Sequence, residues 1–177
     1  MQIPRMQPLV IMASIMIIAI AVLIVTATLG MDSCAANGTY AIQNVQTGKN
    51  LRPYKAGTAN GNQIVLYNHH KWKCMTWQFT QVEGNAFQLR NLYTSKTFQP
   101  HADPKPGVEL KQQPLEEGSL QYWEFIKQPD ETFLIRLKDT DLYITISSNE
   151  TNSPIILKPK QNSNEQRWTL VEQSPWF

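Results

Sequence analysis

Charge is nearly absent from one end of this chain: the first 34 of its 177 residues carry only Arg5 and Asp32. Cysteine is scarce throughout. Cys34 and Cys74 are too few for a disulfide-dense scaffold, although an exported chain would let them pair. Neither lies in a CxxC or Cys/His spacing that would hold zinc, so no metal is expected. An excess of one charge is also missing. The formal net charge of +2 is far from the basic stripe of a nucleic-acid-binding surface. No Ser or Cys stands in a recognisable nucleophile setting, and no cofactor motif is present. Past residue 38 no stretch keeps a 3.6-residue apolar period, which excludes a helical domain. The 143 residues after position 34 suffice for one domain with a real core and leave no room for a second.

What the N-terminus does have is a long apolar run. Leu9 to Val25 reads LVIMASIMIIAIAVLIV, with Ser14 the only polar residue, and it continues to Leu29. As a helix at 1.5 Å per residue, residues 9–29 would reach about 31 Å, enough to cross a hydrocarbon core. Residues 1–30 are therefore expected to be a signal-anchor or a cleaved signal peptide, and 31–37 a linker. A lipid-modified Cys34 is a third possibility, for which Met31-Asp32-Ser33 is a poor preceding sequence. Arg5 precedes the run and the next basic residue is Lys49, so the positive-inside bias places the rest of the chain outside the cytoplasm. Uncleaved, the protein is single-pass and membrane-anchored; cleaved, it is secreted.

Residues 38–177 repeat themselves. Three stretches start alike: Tyr40-Ala41-Ile42, Phe87-Gln88-Leu89 and Phe133-Leu134-Ile135. Each has a Thr seven residues on (Thr47, Thr94, Thr140), followed by a turn-type residue (Gly48, Ser95, Asp141). Alternating apolar pairs come next, at Ile64/Leu66, Val108/Leu110 and Ile155/Leu157. Each unit closes on Trp, one spacer and an apolar residue, at Trp77, Trp123 and Trp168. Period-two alternation broken by Gly, Pro, Asn and Ser is the mark of short strands. The expectation is an all-β chain of three units, about 38–84, 85–130 and 131–177, with about twelve strands. Closure removes open sheet edges, and three units are too few for a propeller, so a β-trefoil is expected.

The opening Gly38-Thr39-Tyr40-Ala41-Ile42-Gln43-Asn44, the Thr-Gly-Lys turn at 47–49 and the terminal Trp motifs resemble ricin-B-type lectin domains. Gln121-Tyr122-Trp123 and Gln166-Arg167-Trp168 match that family's Gln-x-Trp, whereas the first repeat has Met75-Thr76-Trp77. The resemblance spans roughly residues 38–173. It implies a β-trefoil that binds a glycan or glycoprotein without transforming it. In that family a repeat competent for sugar has an Asp after its second strand, which accepts from sugar hydroxyls. An aromatic at the end of its third strand covers the apolar face of the ring. Here the Asp position carries Arg52, Gln99 and Thr145, and the aromatic position carries Tyr67, Lys111 and Lys158.

Only the first repeat keeps an aromatic ring. A surviving site is therefore expected there, with Tyr67 stacking, Asn68 and Arg52 hydrogen-bonding and Trp72 flanking. The three motif tryptophans, with Gln121 and Gln166, are read as structural repeat elements. His69 and His70 are adjacent and would point apart on an extended chain, a poor start for a metal site. The loop from His101 to Gly107, with two prolines, reads as a turn-rich connection. The absent aspartates keep open a protein–protein or receptor-binding trefoil, and the connections 100–107 and 113–119 keep open a protease inhibitor.

Overall fold

The computed structural model describes residues 38–175, and no helix among them is long and apolar enough to cross a membrane. The expected N-terminal hydrophobic helix at 9–29 and the Cys34 thiol lie outside the described residues. The described part is all-β, with twelve strands: β1 (Thr39–Asn44), β2 (Asn50–Pro53), β3 (Ile64–Tyr67), β4 (Trp77–Glu83), β5 (Ala86–Asn91), β6 (Thr97–Pro100), β7 (Leu110–Gln113), β8 (Tyr122–Lys127), β9 (Phe133–Leu137), β10 (Leu142–Ile146), β11 (Ile155–Pro159) and β12 (Trp168–Glu172).

Six of these strands form a closed ring. β1 pairs with β4, β4 with β5, β5 with β8, β8 with β9, β9 with β12, and β12 returns to β1, all antiparallel. The remaining six form three hairpins: β2–β3, β6–β7 and β10–β11. Single bridges tie the hairpins to one another in a triangle, at Gln63–Lys111, Val65–Pro154 and Glu109–Ile156. A six-stranded ring capped by three mutually touching hairpins is a β-trefoil. Every ring strand has a partner on each side, so the ring presents no open edge.

The alternation in each strand decides what lies inside. Ile42, Leu51, Leu66, Phe79, Leu89, Phe98, Leu110, Phe125, Ile135, Ile144 and Leu157 are all fully buried in one cluster. Phe79, Phe87 and Phe125 meet edge-on or tilted, with ring centroids 5.0 to 5.7 Å apart. Trp77, Trp123 and Trp168 are also fully buried, one from each unit. Their indole nitrogens differ. Trp77 Nε1 donates to the Leu51 carbonyl at 3.2 Å and Trp168 Nε1 to the Ile144 carbonyl at 3.3 Å. Trp123 Nε1 is buried with no partner among the described residues.

Two details depart from the sequence pattern. β7 starts at Leu110, so Val108 is buried just ahead of the strand instead of opening it. The turn after the first strand of each unit is not the same in all three. In the first two, Asn44 Oδ1 and Asn91 Oδ1 accept from the turn's own amides at Thr47 and Thr94, and Gly48 and Ser95 take positive φ. The third unit has Leu137 where the others have Asn. Its turn closes instead from Thr140 to the Leu137 carbonyl, and the positive φ falls at Asp139, ahead of Thr140 and not after it.

Candidate functional site

The Gln-x-Trp glutamines are buried anchors. Gln121 Nε2 donates to Gln99 Oε1 and to the Pro114 carbonyl, both at 2.8 Å. Its Oε1 accepts from the Glu116 amide at 2.8 Å and from Gln88 Nε2 at 2.9 Å. Gln166 Nε2 donates to Thr145 Oγ1 and to the Pro159 carbonyl, both at 2.9 Å, and its Oε1 accepts from the Gln161 amide. In both units the motif glutamine therefore grips the residue at the expected Asp position and the loop leading back to the ring. Sequence reasoning assigned these glutamines to the repeat; it did not find the bonds that join Gln121 to Gln99 and Gln166 to Thr145.

The first unit has Met75 in that place, and Met75 offers no amide. The neighbouring Arg52 accordingly turns to other partners. It is only 7% exposed, and its guanidinium carbon lies 3.4 Å from the centroid of the Tyr67 ring. The strand register explains the meeting. Arg52 pairs with Val65 across β2–β3, so Tyr67 is its diagonal neighbour on the same face. The Arg52 guanidinium also lies near the Cys74 thiol. Burial pushes that thiol above its ordinary range, and the nearby guanidinium offsets only part of the rise. Cys74 is buried and has no bridge among the described residues, and its pairing with Cys34 lies outside them.

Around this pair sits a ring cluster. His70 stacks on Trp72 with centroids 4.1 Å apart and planes 12° off parallel. Tyr67 is tilted against both, at 6.2 Å from His70 and 6.4 Å from Trp72. A 3-10 turn at Lys73–Met75 and the Thr76 hydroxyl, which donates to the Trp72 carbonyl at 2.9 Å, hold the Trp72 backbone in place. Of the four residues expected at a first-unit site, the structure brings Arg52, Tyr67 and Trp72 together. Asn68 is exposed and makes no side-chain hydrogen bond among the described residues. Two members were missed. His70 stacks on Trp72, and its only signal was adjacency to aromatic residues. Asn50 faces Tyr67 across the hairpin, fully buried, with Oδ1 3.3 Å from His69 Nδ1 and 3.4 Å from Gln43 Nε2.

Two nitrogens of this cluster, Asn50 Nδ2 and Arg52 Nε, are buried without a partner among the described residues. Arg52 also forms no ion pair among them. The second unit has a different recess at the corresponding place, a pocket of about 250 Å³ lined by Gln99, Gln121, Glu116, Glu117 and Leu120 among others. No group of three or more His, Cys, Asp or Glu among the described residues is placed to hold a metal ion. His101 is exposed, with Nδ1 3.1 Å from the Glu109 carbonyl.

Comparisons with known proteins agree with this architecture. Residues 29–113 match a family model described as a ricin-type beta-trefoil lectin domain-like family. The agglutinin of Rhizoctonia solani superposes with a TM-score of 0.70 at 19% identity, covering 77% of this chain and 96% of that one. The ricin B-like lectin of Macrolepiota procera, solved in complex with lactose, gives 0.65 at 20%, covering 77% and 96%. An exo-beta-1,3-galactanase of Clostridium thermocellum gives 0.73 at 22% identity; the likeness covers 76% of this chain but only 30% of that enzyme. No curated protein matches the chain by sequence. The closed twelve-strand fold makes the described residues a β-trefoil, and residues 29–113 are similar to the ricin-type beta-trefoil lectin domain-like family.

Proposed function

We propose that this chain is a non-catalytic glycan-binding module, displayed outside the cytoplasm behind the apolar segment at residues 9–29, and that its working site is in the first repeat. The observation that carries this reading is the cluster of Arg52, Tyr67, His70 and Trp72: the half-buried Tyr67 and Trp72 and the exposed His70 beside a guanidinium, in the one repeat that keeps an aromatic at the sugar-stacking position. The ring faces would cover the C–H side of a sugar, while Arg52 and Asn68 would reach its oxygens. The lactose complex of the Macrolepiota procera lectin, built on the same fold, supports the ligand class. A shallow face of this kind binds weakly per site, and several copies on one membrane would add avidity.

A protein partner is the second reading. It is favoured by Leu115 and Leu120, both exposed on the loop that flanks the second-unit pocket. The full chain, purified in nonionic detergent and checked for its folded β signature, separates the two on a broad glycan array. Binding that disappears in Tyr67→Ala and survives in Lys158→Ala is the expected result. A folded protein that binds no glycan overturns the sugar reading and leaves the protein partner.

A further inference from the structure

The first repeat is a different electrostatic object from the other two. From residue 38 to residue 82 there is no Asp or Glu, while Lys49, Arg52, Lys55, Lys71 and Lys73 all lie in that stretch. The first carboxylate after Asp32 is Glu83, at the very end of the first repeat, and all the others lie in the later repeats. Every carboxylate that forms an ion pair among the described residues lies in those later parts or at Glu83, and none of these pairs reaches Arg52.

Arg52 itself is in an unusual state. An arginine that is only 7% exposed ordinarily has a carboxylate beside its guanidinium, because an unpaired buried charge is costly. Here its neighbours are the Tyr67 ring and the Cys74 thiol, and its Nε has no partner among the described residues. A cation over an aromatic ring recovers only part of the lost hydration. Asn50 Nδ2 is a second unpartnered buried donor on the same face, and the Asn50 oxygen is already within reach of His69 and Gln43. The buried polar atoms left without a partner on this face, among the described residues, are therefore both donors. A neutral sugar hydroxyl brings a proton that needs an acceptor, whereas a carboxylate or a sulfate only accepts.

We propose that the first-repeat face takes an acidic glycan, with the anionic substituent held by Arg52 and a sugar ring set against Tyr67 and Trp72. This rests on the glycan-binding reading above and specifies its ligand. The ricin-B-type pattern, in which a carboxylate meets neutral hydroxyls, is inverted here: the protein supplies the cation and the sugar supplies the anion. Lys71 and Lys73, both exposed on the segment that carries Trp72, add a positive field that steers the ligand and is screened by salt.

The test uses the full chain in nonionic detergent and glycans in matched pairs, each acidic member beside its neutral parent: 3′-sialyllactose and lactose 3′-sulfate against lactose, and oligogalacturonate against its methyl ester. The expected result is a preference of about tenfold or more for at least one acidic member over its parent. That preference should shrink between 50 mM and 500 mM salt and vanish in Arg52→Gln. The sialylated and sulfated arms tell a carboxylate from a sulfate. If Arg52→Gln fails to fold, the double variant Lys71→Gln/Lys73→Gln, both positions exposed, must still weaken binding to the acidic member and flatten its salt dependence. Equal or tighter binding of the neutral parents overturns the acidic specificity and leaves the glycan-binding reading standing. Silence across the whole array overturns both. An acidic preference that a folded Arg52→Gln keeps in full removes Arg52 from the site and overturns the proposal.

Discussion

Gln166 donates to the hydroxyl of Thr145 at 2.9 Å, in a place where both side chains are fully buried. That bond fastens the loop of the third repeat to its second strand, and Gln121 does the same for the second repeat through Gln99. The first repeat lacks the clasp because Met75 has no amide.

Removing the clasp leaves buried donors and acceptors stranded. Gln166→Ala should cost about 2–4 kcal/mol, combining a cavity with unpaired groups at Thr145, Pro159 and Gln161. Urea unfolding followed by tryptophan fluorescence measures it. A cost below about 0.5 kcal/mol would mean that the Gln-x-Trp glutamine does not hold this loop.

The three indoles should not be equivalent. Trp77→Phe and Trp168→Phe each lose a hydrogen bond to a buried carbonyl, at Leu51 and Ile144. Trp123→Phe removes a donor that has no partner among the described residues. We expect Trp123→Phe to be less destabilising than either of the others by about 1 kcal/mol. Equilibrium denaturation of the three single variants decides it, and equal losses would refute the distinction.

Cys74 carries a pH dependence of known sign. Burial raises its pKa in the folded state above the ordinary value of 9.0, so folding favours the protonated thiol. The corresponding stability is present in full below pH 9.0. It is lost as pH rises through that value toward the folded pKa, because the unfolded chain then releases a proton that the folded chain retains. The wild type should therefore lose stability above pH 9 more steeply than Cys74→Ala. At pH 8 the native thiol should react with a disulfide reagent far more slowly than the denatured one. Parallel alkaline stability curves for the two proteins would show that Cys74 titrates alike in both states.

The repeat was legible because core residues recur wherever threefold packing needs them. Trp77, Trp123 and Trp168, with the apolar pairs on β3 and β11, marked strands from spacing alone. Asp141 does lie in the turn between β9 and β10, but the way that turn closes, with Leu137 in place of the Asn of the other units, was not visible in the spacing. The first-unit site was half visible. Arg52 in an Asp position announced a change, and Tyr67 announced a surviving ring. That the guanidinium would lie flat on that ring depends on the β2–β3 register, which pairs Arg52 with Val65 and sets Tyr67 diagonally opposite. The second-unit pocket had no linear signal, because Gln99 and Leu120 come from separate segments joined through the Gln121 bonds.

The β1–β12 pairing has a mechanical consequence. Tyr40 lies opposite Glu172, and Thr39 and Gln173 exchange hydrogen bonds in both directions, so the two ends of the domain leave it side by side. A tug between those ends loads the ladder one rung at a time, like a zip fastener opened from its slider, and never sets the whole strand in shear. A trefoil held in this way is soft to a pull along its own termini. The first-repeat hairpin, which lies off that seam, is spared until the seam has opened.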